Sequence, residues 1–113
     1  MECIFCHIVN GKIPANLVFQ DENVLAFDDI HPKAPHHVLV IPRRHIATIN
    51  DLQEEDTQLI GQIIQTAKHI AKARDLTDDG YRLVMNCNAN AGQEVFHIHC
   101  HLLGGRKLQW PPG

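Results

Sequence analysis

Three histidines alternate with apolar residues in the segment VFHIHCHLLGG, residues 95–105. In an extended strand, side chains at every second position share one face and stand about 6–7 Å apart. We therefore expect His97, His99 and His101 on one face, with the apolar side chains between them on the opposite, buried face. Three imidazoles on one face are costly to leave unsatisfied, so each should have a defined hydrogen-bond partner.

Alternation by itself leaves three kinds of chemistry open. The histidines could form a structural, hydrogen-bonded set. Two of them could share a catalytic zinc with a third ligand from elsewhere and an open position for water. One of them could be a nucleophile supported by its neighbours, because neutral imidazole is available near neutral pH.

The residues that precede the histidines favour a phosphate site. The loop NANAGQEV, residues 88–95, contains a glycine and several amide side chains. Backbone N–H groups in such a loop can cradle an anionic phosphate, and Asn86 offers a further amide donor. A metal hydrolase would instead need carboxylates near the histidines, and Glu94 is the only one close in sequence.

The elements that position these residues follow from the apolar pattern. CIFCHIVNGKIP predicts a short helical turn, and residues 17–28 predict a hairpin with a polar turn at 21–23. HVLVIP predicts a central strand, and residues 54–75 predict the one long helix. YRLVMN and FHIHCHLLGG predict the last two strands. This order favours an α+β fold, a mainly antiparallel sheet with the helix on one face.

Composition and length set broad limits. At 113 residues with a formal charge of −3, we expect one domain over residues 1–113 and no nucleic-acid partner. Arg43, Arg44, Arg106 and Lys107 are interpreted as a solvated edge or a dimer contact rather than a phosphate patch. No apolar run approaches the ~20 residues of a membrane span. The N-terminal segment is too short and polar for a signal peptide, so we expect a cytoplasmic protein with reduced cysteines and no disulfides.

The signature HIHCHLL resembles that of the histidine triad (HIT) superfamily. The segments CIFCHIVNGKIPA, LAFDDIHPKAPHHVLVIPRRHI, GYRLVMN, GQEVFHIHCHLLGGR and WPPG are similar to its Hint branch, the purine nucleoside phosphoramidate hydrolases. The resemblance covers nearly the whole chain. It implies an α+β fold of about five strands, with one long helix and a short N-terminal helix. It also implies a homodimer with a sheet that continues across the interface.

The resemblance implies hydrolysis of adenosine and guanosine 5′-phosphoramidates without a catalytic cofactor. The middle histidine, His99, would attack phosphorus and carry the nucleotide, its Nδ1–H held by the carbonyl of His97. His101 and His37 would flank the phosphate, and Asp29 would bind the ribose hydroxyls. The implied phosphate ligands are Asn86, Gly92 and Gln93, and the implied purine slot is Ile4, Phe5, Ile8, Phe27 and Ile30, with Trp110 arriving from the partner subunit.

Glu94 departs from the animal members, which carry a serine at this position. A carboxylate could protonate the leaving amine only if it were itself protonated, or it could bind the amine as a cation. We therefore expect Glu94 to act in catalysis or leaving-group binding, with its role open.

Cys3 and Cys6 have the spacing of two thiolate ligands to one metal. By resemblance to zinc-bearing relatives, His45 and His97 would complete a closed, structural Cys₂His₂ zinc site. The alternative is a pair of half-buried thiols on a short turn. For the chain as a whole, two other functions stay open: a metal-dependent hydrolase with triad ligands, and a nucleotide-binding regulatory module with little turnover.

Overall fold

The computed structural model describes residues 2–113, which form a five-stranded antiparallel sheet flanked by two α-helices. The strands are β1 (Leu17–Gln20), β2 (Val24–Asp28), β3 (His36–Pro42), β4 (Tyr81–Val84) and β5 (Cys100–Gly104), in the spatial order β1-β2-β3-β5-β4. The helices are α1 (Ile4–Val9) and α2 (Thr57–Ala73). The α+β prediction is confirmed, and no helix in residues 2–113 has both the length and the apolarity needed to cross a membrane.

The central strand β3 separates two apolar clusters. Its side chains alternate between faces, so Val38 and Val40 pack in the cluster under α2. Leu39 and Ile41 point to the other face and pack with Phe5 of α1. The predicted hairpin and the predicted central position of β3 are both confirmed, with His37–Pro42 buried.

The long helix is shorter at its start than the sequence predicts. Residues Glu54–Asp56 form a separate 3₁₀ turn instead of the first turn of α2. Asp56 explains this, because its carboxylate accepts the Gln53 N–H and pairs with Arg44. These contacts stabilise a tight turn before the helix. At the other end, Asp75 has a left-handed backbone with φ of 59° and stops the helix after Ala73.

The strand that carries the triad is also shorter than predicted, beginning at Cys100 rather than Phe96. β3 pairs with β5 only as far as the Val40–Cys100 pair. Beyond it stands Pro42, which has no N–H to donate to the ladder. The Ile98 N–H instead donates to the Ile46 carbonyl at 2.8 Å. His97 and His99 therefore precede the strand, although Ile98, Cys100 and Leu102 are all buried as alternation predicts.

Candidate active site and metal centre

His99 is oriented by the main chain of its neighbour. Its Nδ1 lies 2.8 Å from the carbonyl oxygen of His97, so Nδ1 carries a proton and donates it. Nε2 of His99 is therefore left with a lone pair. The ring of Phe5 packs edge-on against it, with centroids 5.1 Å apart. Burial lowers the pKa of His99, opposed by the hydrogen bond to His97 and by the charge of Asp29.

A chain of hydrogen bonds fixes the protons of two further histidines. The Lys33 N–H donates to Nδ1 of His37 at 3.0 Å, so His37 must carry its proton on Nε2. That Nε2–H faces Nδ1 of His101 at 2.9 Å and donates to it. His101 therefore carries its own proton on Nε2, which is buried and has no partner within residues 2–113. We call these contacts the Lys33–His37–His101 chain.

Both imidazoles of this chain are neutral near neutral pH. Burial lowers the pKa of His37, against the opposing charge of Asp29. Burial, with the neighbouring His99 and His37, lowers the pKa of His101 to about 4. The Nε2–H of His101 is thus a neutral donor without a hydrogen-bond partner in the described residues. The ring centroids of His101 and His99 are 4.9 Å apart.

Asp29 lies beside the Lys33–His37–His101 chain, as the sequence predicts for a residue of the site. One carboxylate oxygen accepts the His31 N–H at 2.8 Å. The other lies 3.5 Å from Nε2 of His37, and the Asp29 N–H donates to the His37 carbonyl. The turn therefore holds one oxygen of Asp29 in place and leaves the second directed towards the histidines.

The loop before the triad is held by Gln93. Its side-chain amide donates to the carbonyls of Ala47 and Val95, and its oxygen accepts the Asn88 N–H. Gln93 is buried and its amide donors are used within the protein, so in this conformation it shapes the loop rather than offering a free donor. Gly92 is exposed with φ of 85°, a backbone that glycine adopts without strain. Asn86 is half-buried and Glu94 is exposed.

The residues predicted to hold a purine divide into two groups. Phe5 and Phe27 are buried with ring centroids 5.4 Å apart, and Ile8 packs against the same cluster. The structure thus brings Phe5 together with His99. Ile30 is 84% exposed, Trp110 80% and Ile4 49%, so these three lie on the surface of the single chain.

The four predicted metal ligands converge on one site. Donor atoms of Cys3, Cys6, His45 and His97 all lie within 4.8 Å of one another. Nδ1 of His97 is 3.5 Å from Sγ of Cys3 and 3.6 Å from Sγ of Cys6. Nδ1 of His45 is 3.4 Å from Sγ of Cys6.

The protonation of His97 suits metal binding. Its Nε2 lies 2.7 Å from the carbonyl of Pro42, so Nε2–H donates there and Nδ1 presents a lone pair to the thiols. Burial lowers the pKa of His97, which favours the neutral ring that a metal needs. Two sulfur and two nitrogen donors form the closed set of a structural zinc site, so the residues fit that ion.

A second group with ligand-type atoms, Asp29, His37 and His101, does not suit a metal. Nε2 of His37 carries a proton because its Nδ1 is already occupied as an acceptor of the Lys33 N–H. A cation at this position would have to displace that proton. The two groups therefore differ in chemistry although each contains two imidazoles.

Sequence reasoning missed Lys33 and Pro42, whose main chains set these protonation states. The side-chain types of both residues carry no signal for that role. Arg106, expected on a solvated edge or in a dimer contact, is exposed and donates twice to the Lys33 carbonyl. Arg44 likewise pairs with Asp56.

The sequence profile of the HIT domain matches residues 10–108. The chain belongs to the HIT domain family. It is 50% identical over 107 residues to a purine nucleoside phosphoramidase of Escherichia coli K12, covering 95% of this chain and 90% of that protein.

Solved structures agree with this assignment. A HIT family hydrolase from Legionella pneumophila superposes with a TM-score of 0.98 at 56% identity, covering 99% of this chain and all of that one. A histidine triad protein from Clostridium difficile superposes with a TM-score of 0.93 at 41% identity, covering 96% and 95% of the two chains. The family predicted from the triad signature is thereby confirmed.

Proposed function

We propose that this HIT protein is a purine nucleoside phosphoramidase that works through a nucleotide covalently held on His99. The observation that carries the proposal is the hydrogen bond from His99 Nδ1 to the His97 carbonyl, which leaves Nε2 as a free nucleophile. The similarity to the Escherichia coli phosphoramidase supports the same activity.

In the first step, Nε2 of His99 forms a bond to phosphorus while the phosphorus–nitrogen bond to the amine breaks. The departing amine takes up one proton, from the solvent or from a protonated Glu94. The imidazole becomes an N-phosphoryl imidazolium, whose Nδ1–H still donates to the His97 carbonyl. Because that carbonyl is neutral and cannot remove the proton, the imidazolium stays a good leaving group for the second step.

In the second step, water attacks phosphorus and releases one proton to the solvent, the Nε2–phosphorus bond breaks and the nucleoside monophosphate leaves. The free Nε2–H of His101 supplies a donor for a phosphoryl oxygen, on which negative charge increases in both transition states. Because His101 is neutral, it donates without needing a proton from solution.

Around this centre we propose the remaining roles by position. Asp29 binds the ribose hydroxyls through its freer oxygen, and Phe5, Phe27 and Ile8 provide the apolar slot for the purine. Ile4 and Ile30 extend that slot at the surface. Asn86 and the backbone of Gly92 contact the phosphate, and Gln93 holds their loop. Exposed Glu94 protonates or binds the leaving amine.

The role of Glu94 can be separated from general catalysis by changing the leaving group. We expect Glu94→Ser to weaken the preference for lysyl-type over tryptamine-type adenylates, because the carboxylate attracts a cationic amine. Initial rates with the two substrates measure this. An unchanged ratio would remove Glu94 from substrate selection.

Covalent trapping tests the proposed nucleophile. Protein mixed with adenosine 5′-phosphoramidate and quenched in the first turnovers should show one added adenylate, which peptide mapping assigns to His99. Turnover without an adduct, or an adduct on another residue, would contradict the proposal. A nucleotide-binding regulatory module would bind nucleotide without an adduct, and a hydrolase with a triad-bound metal would lose turnover on chelation.

We also propose that Cys3, Cys6, His45 and His97 hold a structural zinc ion. The lone pair of His97 Nδ1, directed at the two thiols, and the approach of His45 Nδ1 to Cys6 Sγ support it. Zinc there would join α1 to the segment that carries the triad, and it takes no part in the displacement. Metal content of purified protein and of Cys6→Ser, compared by elemental analysis, tests this. One zinc per chain lost in the variant is expected, and equal content would contradict it.

We propose a homodimer in which the edge strand β4 continues the sheet into the partner subunit. The side chains of β4 are half-buried in the single chain. Trp110, 80% exposed, would then cover the partner's site. Deleting residues 108–113 should change substrate preference more than the melting temperature, and sedimentation should show a dimer. A monomer, or loss of the fold on deletion, would contradict this. A cytoplasmic location stays a prediction.

A further inference from the structure

We infer that Arg106 is a positioning residue for the reaction, which acts on His101 through the Lys33–His37–His101 chain. The inference rests on the proposed phosphoramidase function. Within residues 2–113, the hydrogen bonds of the Arg106 side chain go to the Lys33 and Lys107 carbonyls and none goes to the triad. Its contacts lie on the loop whose main chain sets the protonation of His37.

The guanidinium of Arg106 holds this loop at a single carbonyl. Nε–H and Nη2–H both donate to the Lys33 oxygen, at 3.2 and 2.8 Å, and a third N–H donates to the Lys107 carbonyl. Two charge-assisted donors on one acceptor restrict both position and orientation of Lys33. Arg106 itself is exposed, so it contributes by geometry rather than by burial.

Gly105, which precedes Arg106, packs against residues 35 and 36 of the loop that carries Lys33. Gly105 has φ of 95°, and a Cβ added there would lie 2.8 Å from Cβ of Pro35 and 3.1 Å from Cδ2 of His36. The chain leaving β5 therefore meets residues 33–36 at two adjacent points. This close approach supports a role for the segment in fixing the loop.

Fixing the loop matters because one loop N–H decides two protonation states. While the Lys33 N–H is directed at Nδ1 of His37, the proton of His37 must stay on Nε2. His101 then accepts at Nδ1 and donates from Nε2. If Lys33 moved away, His37 could carry its proton on Nδ1 and accept at Nε2. His101 would then donate from Nδ1 and present a lone pair, instead of a donor, to the phosphate.

The test compares two arginines that make the same kind of contact. Arg106→Ala removes the donors to Lys33. Arg43→Ala is the matched control, because Arg43 Nε–H donates to the Asp21 carbonyl on the β1–β2 turn and not to the loop that carries Lys33. We expect Arg106→Ala to lower kcat about tenfold with a smaller change in KM, since it impairs a transition-state donor rather than binding. Arg43→Ala should leave kcat unchanged.

Nitrogen-15 NMR of the histidine side chains supplies a readout that a merely structural role would not move. In Arg106→Ala, His101 should change from a single Nε2–H form to a mixture of both tautomers, with His97 unaltered. Arg106→Lys keeps one charged donor and should recover part of kcat and of the Nε2–H population.

An Arg106→Ala protein with wild-type kcat and wild-type tautomers would overturn the inference. So would a lower kcat with His101 still wholly in the Nε2–H form. If Arg106→Ala does not fold, Arg106→Gln, which keeps a neutral donor, is judged by the same two criteria. Failure of the proposed function can be told apart from failure of this inference. In the first case the wild type forms no adduct on His99, and the tautomer comparison still decides whether Arg106 positions His101.

Discussion

Two groups of side chains meet at the triad, Cys3/Cys6/His45/His97 and Asp29/His37/His101, and they are prepared for different chemistry. In the Cys/His group, His97 donates Nε2–H to the Pro42 carbonyl and presents a lone pair to two thiols. In the group proposed to be catalytic, His37 accepts from the Lys33 N–H and donates its Nε2–H to His101. A main-chain acceptor at one ring nitrogen leaves a lone pair at the other nitrogen, whereas a main-chain donor at one ring nitrogen leaves an N–H at the other.

His97 belongs to both groups, through different atoms. Its side chain faces the thiols, and its carbonyl accepts the Nδ1–H of His99. The ring that suits metal binding and the ring that suits nucleophilic attack are thus linked by one residue. The three histidines in strict alternation are therefore proposed to have three different roles.

The largest expected effect comes from removing the proposed nucleophile, His99. We expect His99→Ala to lower turnover by about 10⁴-fold or more, because covalent catalysis is then lost. Steady-state hydrolysis of adenosine 5′-phosphoramidate measures it. His69→Ala, on the exposed surface of α2, is the control and should keep full activity. Retained turnover in His99→Ala would contradict the mechanism.

The next effect concerns the donor on the phosphate. His101→Gln should lower kcat by about 10²-fold, since a neutral donor at the reacting phosphate is lost or misplaced. KM should change less than kcat. A change confined to KM would show that His101 binds substrate without acting in the transition state.

The Cys/His group should affect stability rather than chemistry. Removing zinc with a chelator should lower the free energy of unfolding. The expected decrease is about 3 kcal/mol when the reference protein is measured at a free zinc concentration about 100 times the Kd. Denaturant titration with and without zinc measures this change. At low denaturant the chelated protein should still form the adduct on His99. If chelation stopped adduct formation while the fold stayed intact, the metal would be needed for catalysis, and the two groups would not have separate functions.

The smallest predicted effect is on the pH dependence of stability. His101 has an ordinary pKa of 6.5 and a folded pKa of about 4, facing His37, His99 and Asp29. Between these values the unfolded chain binds more protons than the folded one, so stability falls as the pH is lowered through this window. His101→Gln should remove on the order of 2 kcal/mol of that fall, after allowance for coupling to its neighbours. Equal slopes for both proteins would contradict a buried neutral His101.

Much of the fold was predictable because local patterns determine it. The alternation around the turn at residues 21–23 predicted the hairpin, and the apolar run in β3 predicted its central position. The errors came from tertiary contacts. Pro42 ends the pairing that would have extended β5 to Phe96, and Asp56 closes a turn where a helix was expected.

The sequence predicted which side chains form the candidate site, but it did not predict which nitrogen of each histidine ring carries the proton. His37, Asp29 and His101 are brought together, as are the four residues predicted to bind a metal. Which nitrogen of each ring carries the proton depends on the main chains of Lys33, Pro42 and His97, which bring no distinctive side-chain type to the pattern. Gln93 shows the same limit, because its buried amide contacts depend on the position of Ala47.

The protonation of the histidine rings in the unmodified protein tests the central claim most directly. Nitrogen-15 NMR at neutral pH should show His99 protonated on Nδ1 and His37, His97 and His101 each protonated on Nε2. That result would place the nucleophilic lone pair and the phosphate donor where the mechanism needs them. His99 protonated on Nε2, or His101 protonated on Nδ1, would contradict the account.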